Sequence, residues 1–341
     1  MQISAAALLL VGSLCGCNSS RSNGAGPSSS PAVLATVNNQ TITQDDFLAS
    51  LESYVPNQQN GTISVPAGRV VMAQLIQDNL VEGLAAQENV GATPQQLDDR
   101  YQDIKLLHDA QNVQPMENEL AQSGLTVDQF ERLKLAPQVA QFNLLTQGQT
   151  VSDADITAYY NQNKAQRFTK SDRAHIKRIA FATKAQADAI YNQIKTGGKM
   201  FEVFIDQSAV KIPANADLQN WIPTDPTKSP KLAPLCNAIL ATQTGETSEP
   251  FFFQGGWWLV KVIQREPTET LPESVVHHLI QWILLGQKSD ATHLSQVQQA
   301  LKTYQLQAKV TINDPAYADI ADNIKAAASD AAGPTGSPTA Q

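Results

Sequence analysis

Cysteine is scarce, with three residues in 341, at positions 15, 17 and 236. If the first of these leaves with a signal segment and the second carries lipid, Cys236 is the remaining thiol and no internal disulfide can form. Positive charge is also short. The net charge is −8 and no helical segment carries a basic stripe, which excludes non-specific nucleic-acid binding. Beyond the first segment, no apolar run is long enough to span a bilayer. The chain has no glycine-rich phosphate loop, no serine-nucleophile motif and no pair of catalytic carboxylates. His277-His278 invites a metal reading, but adjacent helical residues point about 100° apart and only Glu273 stands a turn away. No metal site and no cofactor are expected.

What is present describes a soluble protein of two or three domains, 42% hydrophobic and 16% charged. Met1 to Leu14 is an apolar Ala/Leu segment of signal-peptide length, although no Lys or Arg precedes it. It runs into Leu14-Cys15-Gly16-Cys17, which resembles a bacterial lipobox. The resemblance makes residues 1–17 a lipoprotein signal and Cys17 the lipidation site, tying the protein to the extracytoplasmic side of a membrane in a bacterial envelope. The plainer alternative is an ordinary secretory signal whose cleavage site holds two cysteines. Residues 18–31, rich in Ser, Gly, Asn and Pro, form a flexible tether.

From residue 32 to 170 the chain alternates helix starts and apolar stripes. Ala32 to Asn38 is strand-like, and Thr43 with Asp46 three residues on is a capping box. Met72, Leu75, Ile76, Leu80 and Leu84 form one helical stripe between about Arg69 and Glu88. Thr93-Pro94, Thr126 with Gln129, and Ser152-Asp153 start further helices. After residue 267, Val275, Val276, Leu279, Ile280 and Ile283 mark one helix, and Leu294, Val297, Leu301 and Tyr304 another. Ala308 to Ile312 is a final strand-like run. Residues 268–322 are assigned to these elements, and 323–341 to a disordered tail.

Residues 171–267 differ in character. An alternating strand opens at Arg173 and a helix from Lys184 to Lys195 is stopped by Gly197-Gly198. A second helix, Met200 to Gln207, follows. Then come Asp217-Leu218, an apolar segment from Leu232 to Leu240, the turn Gly245-Glu246-Thr247-Ser248-Glu249-Pro250, and a buried strand Trp257 to Ile263. Ala174-His175-Ile176, Phe201, Asp217-Leu218, Gly245 to Pro250 and Leu259 to Val262 together resemble the parvulin (rotamase, PpiC-like) peptidyl-prolyl isomerases. Ala35 to Phe47 and Val151 to Lys164 resemble the SurA-like and PrsA-like foldases. These resemblances imply an α+β protein: a mostly helical, SurA N-terminal-like chaperone domain, its two segments packing together around an inserted β-α-α-α-β-α-β-β parvulin-like domain.

Prolyl isomerisation breaks no covalent bond. Its barrier is the amide resonance, about 18–20 kcal/mol, so a catalyst needs an apolar cup for the ring and polar groups that favour the twisted amide. Parvulins set two facing histidines, a Cys or Asp, and an apolar cup around that site. By resemblance His175 is the first histidine, and Leu218, Lys231, Leu235 and Leu240 take cup positions. Trp258 stands where the second histidine belongs, and Val210 near the Cys/Asp position. His175 also fits a core histidine satisfied by a backbone carbonyl. The resemblance implies a foldase for unfolded or Xaa-Pro-containing secreted polypeptides, with isomerase activity weakened by these replacements. The alternative is a non-catalytic holdase with a degenerate parvulin domain.

Overall fold

The computed structural model describes residues 32–54, 65–208, 220–227 and 229–330. The chain opens with a hairpin of β1 (Val33–Val37) and β2 (Gln40–Thr43), turned at Asn38 with φ of 51°, a left-handed conformation that Asn tolerates. The expected capping box starts α1 (Gln44–Glu52): the Asp46 N–H donates to the Thr43 hydroxyl at 3.2 Å, and the Asp46 carboxylate accepts from the Thr43 N–H at 3.4 Å. α2 (Ala67–Gln87) buries the whole stripe from Met72 to Leu84. α3 (Pro94–Asp109), α4 (Met116–Gln122) and α5 (Val127–Phe130) follow. Pro137 has no N–H to give to the preceding turn, and α5 passes through a π turn (Glu131–Leu135) into α6 (Ala136–Thr146). α7 (Asp153–Arg167) begins at the Ser152 capping box and leads to the insertion.

The inserted unit is entered through β3 (Thr169–Lys170). It contains β4 (Arg173–Phe181), α8 (Lys184–Lys195), β5 (Ile222–Pro223), α9 (Ala233–Ala241), β6 (Phe251–Phe253) and β7 (Gly256–Glu266), and is left through β8 (Glu269–Thr270). Strands β3 and β8 pair, Thr169 opposite Thr270, so the chain leaves where it entered. The four long-range strands form an antiparallel sheet in the order β5-β4-β7-β6. The second helix expected at Met200 to Gln207 is a 3-10 stretch, Phe201–Gln207, which buries Phe201 and Phe204 as its spacing implied.

Three helices and a strand close the molecule: α10 (Glu273–Lys288), α11 (Ala291–Gln307), β9 (Val310–Ile312) and α12 (Ile320–Asp330). β9 pairs with β1, Val310 opposite Val37 and Ile312 opposite Ala35, so the first and last strands share one sheet. The two segments of the helical part therefore pack together around one core of Ala35, Val37, Met72, Ile76, Ala308 and Ile320. α12 corrects the sequence expectation of a disordered tail from residue 323. Ile320, Ile324 and Ala328 recur at helical spacing and are buried, and that apolar seam holds the helix against the domain through Asp330. The tether, the lipobox with Cys17, and Leu218 and Val210 lie outside the described residues.

Candidate functional site in the inserted sheet

Strand alternation divides the inserted sheet into two faces. Ala174, Ile176 and Ala180 of β4 join Trp258, Val260 and Val262 of β7, and α9 packs Leu235 and Ile239 onto them. Ile179, Phe181 and Leu259 point the other way, against Ala187 and Ile190 of α8 and the two phenylalanines of the 3-10 stretch. Of the residues expected around the prolyl site, Leu235 and Trp258 lie on the α9 face. Leu235 and Trp258 are both buried there at 4% exposure, and Phe253 meets the indole edge-on at 5.5 Å and 70°.

The other cup positions do not close around them. Leu240, expected to support the cup, is 52% exposed, because α9 turns it away from the face that takes Leu235 and Ile239. Lys231 sits exposed on the short 3-10 turn Pro230–Leu232 ahead of α9, with its charge kept in water rather than against an apolar ring.

His175 and Trp258 are not brought together. His175 stands opposite Gln264, and Trp258 opposite Ala180, five positions along the same ladder, or about 17 Å at the rise of a strand. Alternation also turns His175 to the other side of β4 from Ala174 and Ile176. Its ring meets Trp221 edge-on at 6.2 Å. That places it at the junction with the helical part. There Arg173 bonds Glu266 through Nε and Nη2 at 2.8 and 2.5 Å, donates through Nη1 to the Ala110 carbonyl at the end of α3, and lies 4.5 Å over the Trp221 ring. The Trp221 N–H donates to the Gln111 carbonyl at 3.2 Å. Arg173, Trp221 and Gln111 thus make a strut between the two parts of the chain, with His175 beside it.

The residue that faces Trp258 is Arg178. Its guanidinium lies 5.4 Å over the indole ring, and burial lowers its pKa below the ordinary arginine value. Residue type alone does not single it out, because the family pattern points to a histidine. The period of two counted from Ile176 was available, and it assigns Arg178 to the face of Ile176 and Ala180.

Two further histidines have partners outside this site. His108 lies between Asp109 and Glu119, at 2.9 and 2.6 Å, and His293 Nε2 meets the Leu144 carbonyl at 3.0 Å. His278 Nδ1 is 3.3 Å from Asp99. In the helical part a cleft of about 340 Å³ opens between β2, α2 and the π turn, lined by Asp46, Asp78, Glu82 and Arg132 over Ile42, Leu75 and Leu133.

A helical domain closed by its own first and last strands, with a four-stranded antiparallel unit set into it, defines a two-part protein. Comparison with known families matches residues 1–136 to the SurA-like N-terminal domain and residues 151–276 to the PPIC-type PPIase domain. The chain therefore joins a SurA-like N-terminal domain to a parvulin-type (PPIC) PPIase domain. No curated protein matches it. Among solved structures, one of the SurA-like chaperones described together as PEB4 and Cj1289 of Campylobacter jejuni is similar at 18% identity, with a TM-score of 0.36 and coverage of 80% of this chain and 98% of that one. PrsA from Bacillus subtilis is similar at 18% identity, TM-score 0.26, with 86% and 98% covered. The foldase protein PrsA from Lactococcus lactis is similar at 14% identity, TM-score 0.28, with 86% and 99% covered.

Proposed function

We propose that the protein is an extracytoplasmic foldase chaperone, held to a membrane by lipid on Cys17, that binds unfolded secreted polypeptides chiefly through its helical part. In this reading the parvulin-like unit isomerises Xaa-Pro bonds weakly or not at all. The observation that carries it is the pairing of Trp258 with Arg178, where a facing histidine pair would be needed. Neither side chain has a hydrogen-bond acceptor, so no proton-sharing polar network can close across them. Loss of one transition-state hydrogen bond costs about 3–4 kcal/mol, a hundred- to thousand-fold in rate.

The test separates the two parts of the chain. Asp172 and Thr268 already hold each other, the Asp172 N–H donating to the Thr268 hydroxyl at 3.2 Å, so residues 173–267 can be removed and the ends rejoined. The shortened chain is expected to keep most of the suppression of aggregation of an unfolded client. A folded deletion that suppresses nothing would reject the assignment. Exchange spectroscopy on an Ala-Pro peptide tests the other half: robust catalysis that collapses in His175→Ala would reinstate that histidine. Cys17→Ser is expected to abolish incorporation of labelled fatty acid, and continued labelling would remove the lipid anchor.

A further inference from the structure

Arg178 and Trp258 leave two donors buried without a partner, the Arg178 Nε–H and the Trp258 Nε1–H. Both side chains are donors only, and among the described residues no carboxylate pairs with Arg178. The indole is therefore held by packing and by the guanidinium over its ring, without a hydrogen bond of its own. It fills the space between β4, β7 and α9 that Leu235, Ile239 and Phe253 enclose. Taking the family reading as given, this space borders Leu235, the buried one of the described cup positions, and so lies where a proline ring would enter.

We propose that Trp258 is a built-in plug of the prolyl cup, clamped by Arg178, so that the pair decides whether the inserted unit can take a prolyl ring. The cup is closed by an aromatic ring of the chain itself, in addition to having lost its polar network. Because the indole N–H bonds nothing, truncating Trp258 strands no acceptor and leaves a hole walled by Leu235, Ile239 and Phe253, with the Arg178 guanidinium on one side. A five-membered aliphatic ring matches such a hole in size and chemistry.

The experiment uses the full chain and a blocked Ala-Ala-Pro-Phe peptide, with Ala-Ala-Ala-Phe as the control. Titrations followed by calorimetry and by the indole N–H resonance of Trp258 are expected to show no saturable binding to the inserted unit of the wild type and no shift of that resonance. Trp258→Ala and the less drastic Trp258→Val are expected to bind the prolyl peptide saturably, at least about tenfold more tightly than the control peptide. Arg178→Met is expected to leave the cup filled but loosened, so that the Trp258 indole N–H exchanges with solvent several-fold faster. Saturable wild-type binding that shifts the Trp258 indole would overturn the plug, since the cup would then be open. So would folded Trp258→Ala or Trp258→Val proteins that gain nothing. If neither variant folds, the wild-type indole titration and the Arg178→Met exchange rate decide the matter. Aggregation suppression by the wild type, measured alongside, tests the chaperone reading separately, and its absence would leave the plug standing.

Discussion

Glu82 and Asp103 in the helical part, and Glu202 in the inserted unit, are all shielded carboxyls, yet their surroundings pull them in opposite directions. Burial raises Glu82 to about 7, with Asp78 adding to the effect and Arg132 countering it. Burial likewise raises Asp103 to about 6 against the pull of Arg100 and His278. Burial acts on Glu202 too, but a backbone N–H together with Lys177 and Lys261 outweighs it, and the carboxyl ends below its ordinary value. The cause is geometric. Lys177 and Lys261 are direct cross-strand partners, and Glu202 accepts from both at 3.2 Å, relieving two like charges that the register sets side by side. In the helical part Asp78 and Glu82 lie one turn apart on α2, where like charges oppose each other and helix packing supplies too little positive charge to match them.

The largest effect that could break this contrast is at the strut. Arg173→Met removes a buried guanidinium from Glu266, the Ala110 carbonyl and the Trp221 ring, and is expected to cost about 3–5 kcal/mol. Urea denaturation measures it, and a loss below about 1 kcal/mol would mean that the two parts hold together without that residue. Next comes Leu80→Ala in the centre of α2, where the side chain is fully buried, with an expected cost of about 3 kcal/mol. That loss should appear in the unfolding of the helical part and in weaker client protection. A variant that protects clients as well as the wild type would shift client binding toward the inserted unit.

Titration sharpens the comparison at a smaller scale. For Glu82 and Asp103 the folded pKa lies above the ordinary values of 4.5 and 3.8, so the folded state holds more protons in between. Their penalty is complete above pH 7 and fades as pH falls toward 4, so they add stability to the helical part on acidification. After allowance for solvent screening, the gain from pH 8 to pH 5 is expected to be about 1–2 kcal/mol. Glu202 has the opposite sign: its contribution is present above its ordinary pKa and is lost as pH falls through the depressed folded value. Glu82→Gln combined with Asp103→Asn should raise stability at pH 8 and leave it unchanged near pH 4. An equal gain at both pH values would trace the effect to packing. The smallest effect is at a helix cap, where Thr93→Ala removes the bond from the Gln96 N–H and is expected to cost about 1 kcal/mol.

Much of the fold was legible because it is written in local rules. Thr43, Thr93, Thr126 and Ser152 start helices through bonds to residues three positions on, and the structure forms all four capping boxes. The α2 stripe is buried as its spacing predicted. The candidate site was less legible. His175 stands out by its residue type, whereas the neighbours of Trp258 follow from which β4 residue stands over which β7 residue, and that is set by pairing between strands about eighty residues apart. The extra residue at Ile263, between Val262 opposite Ile176 and Gln264 opposite His175, is a further irregularity that no local pattern announces.

By itself the sequence determined the helix starts, the apolar stripes, the alternating strands and the order of the two parts, since each depends on residues within a turn or a strand of one another. It also carried the tryptophan at position 258. Only the tertiary structure decided that Arg178 rather than His175 faces that tryptophan, that His175 sits by the Arg173 strut, and that Ile320 to Asp330 is a docked helix. These are consequences of register and of packing between distant segments, where the energy of each contact depends on a partner that the local sequence does not contain.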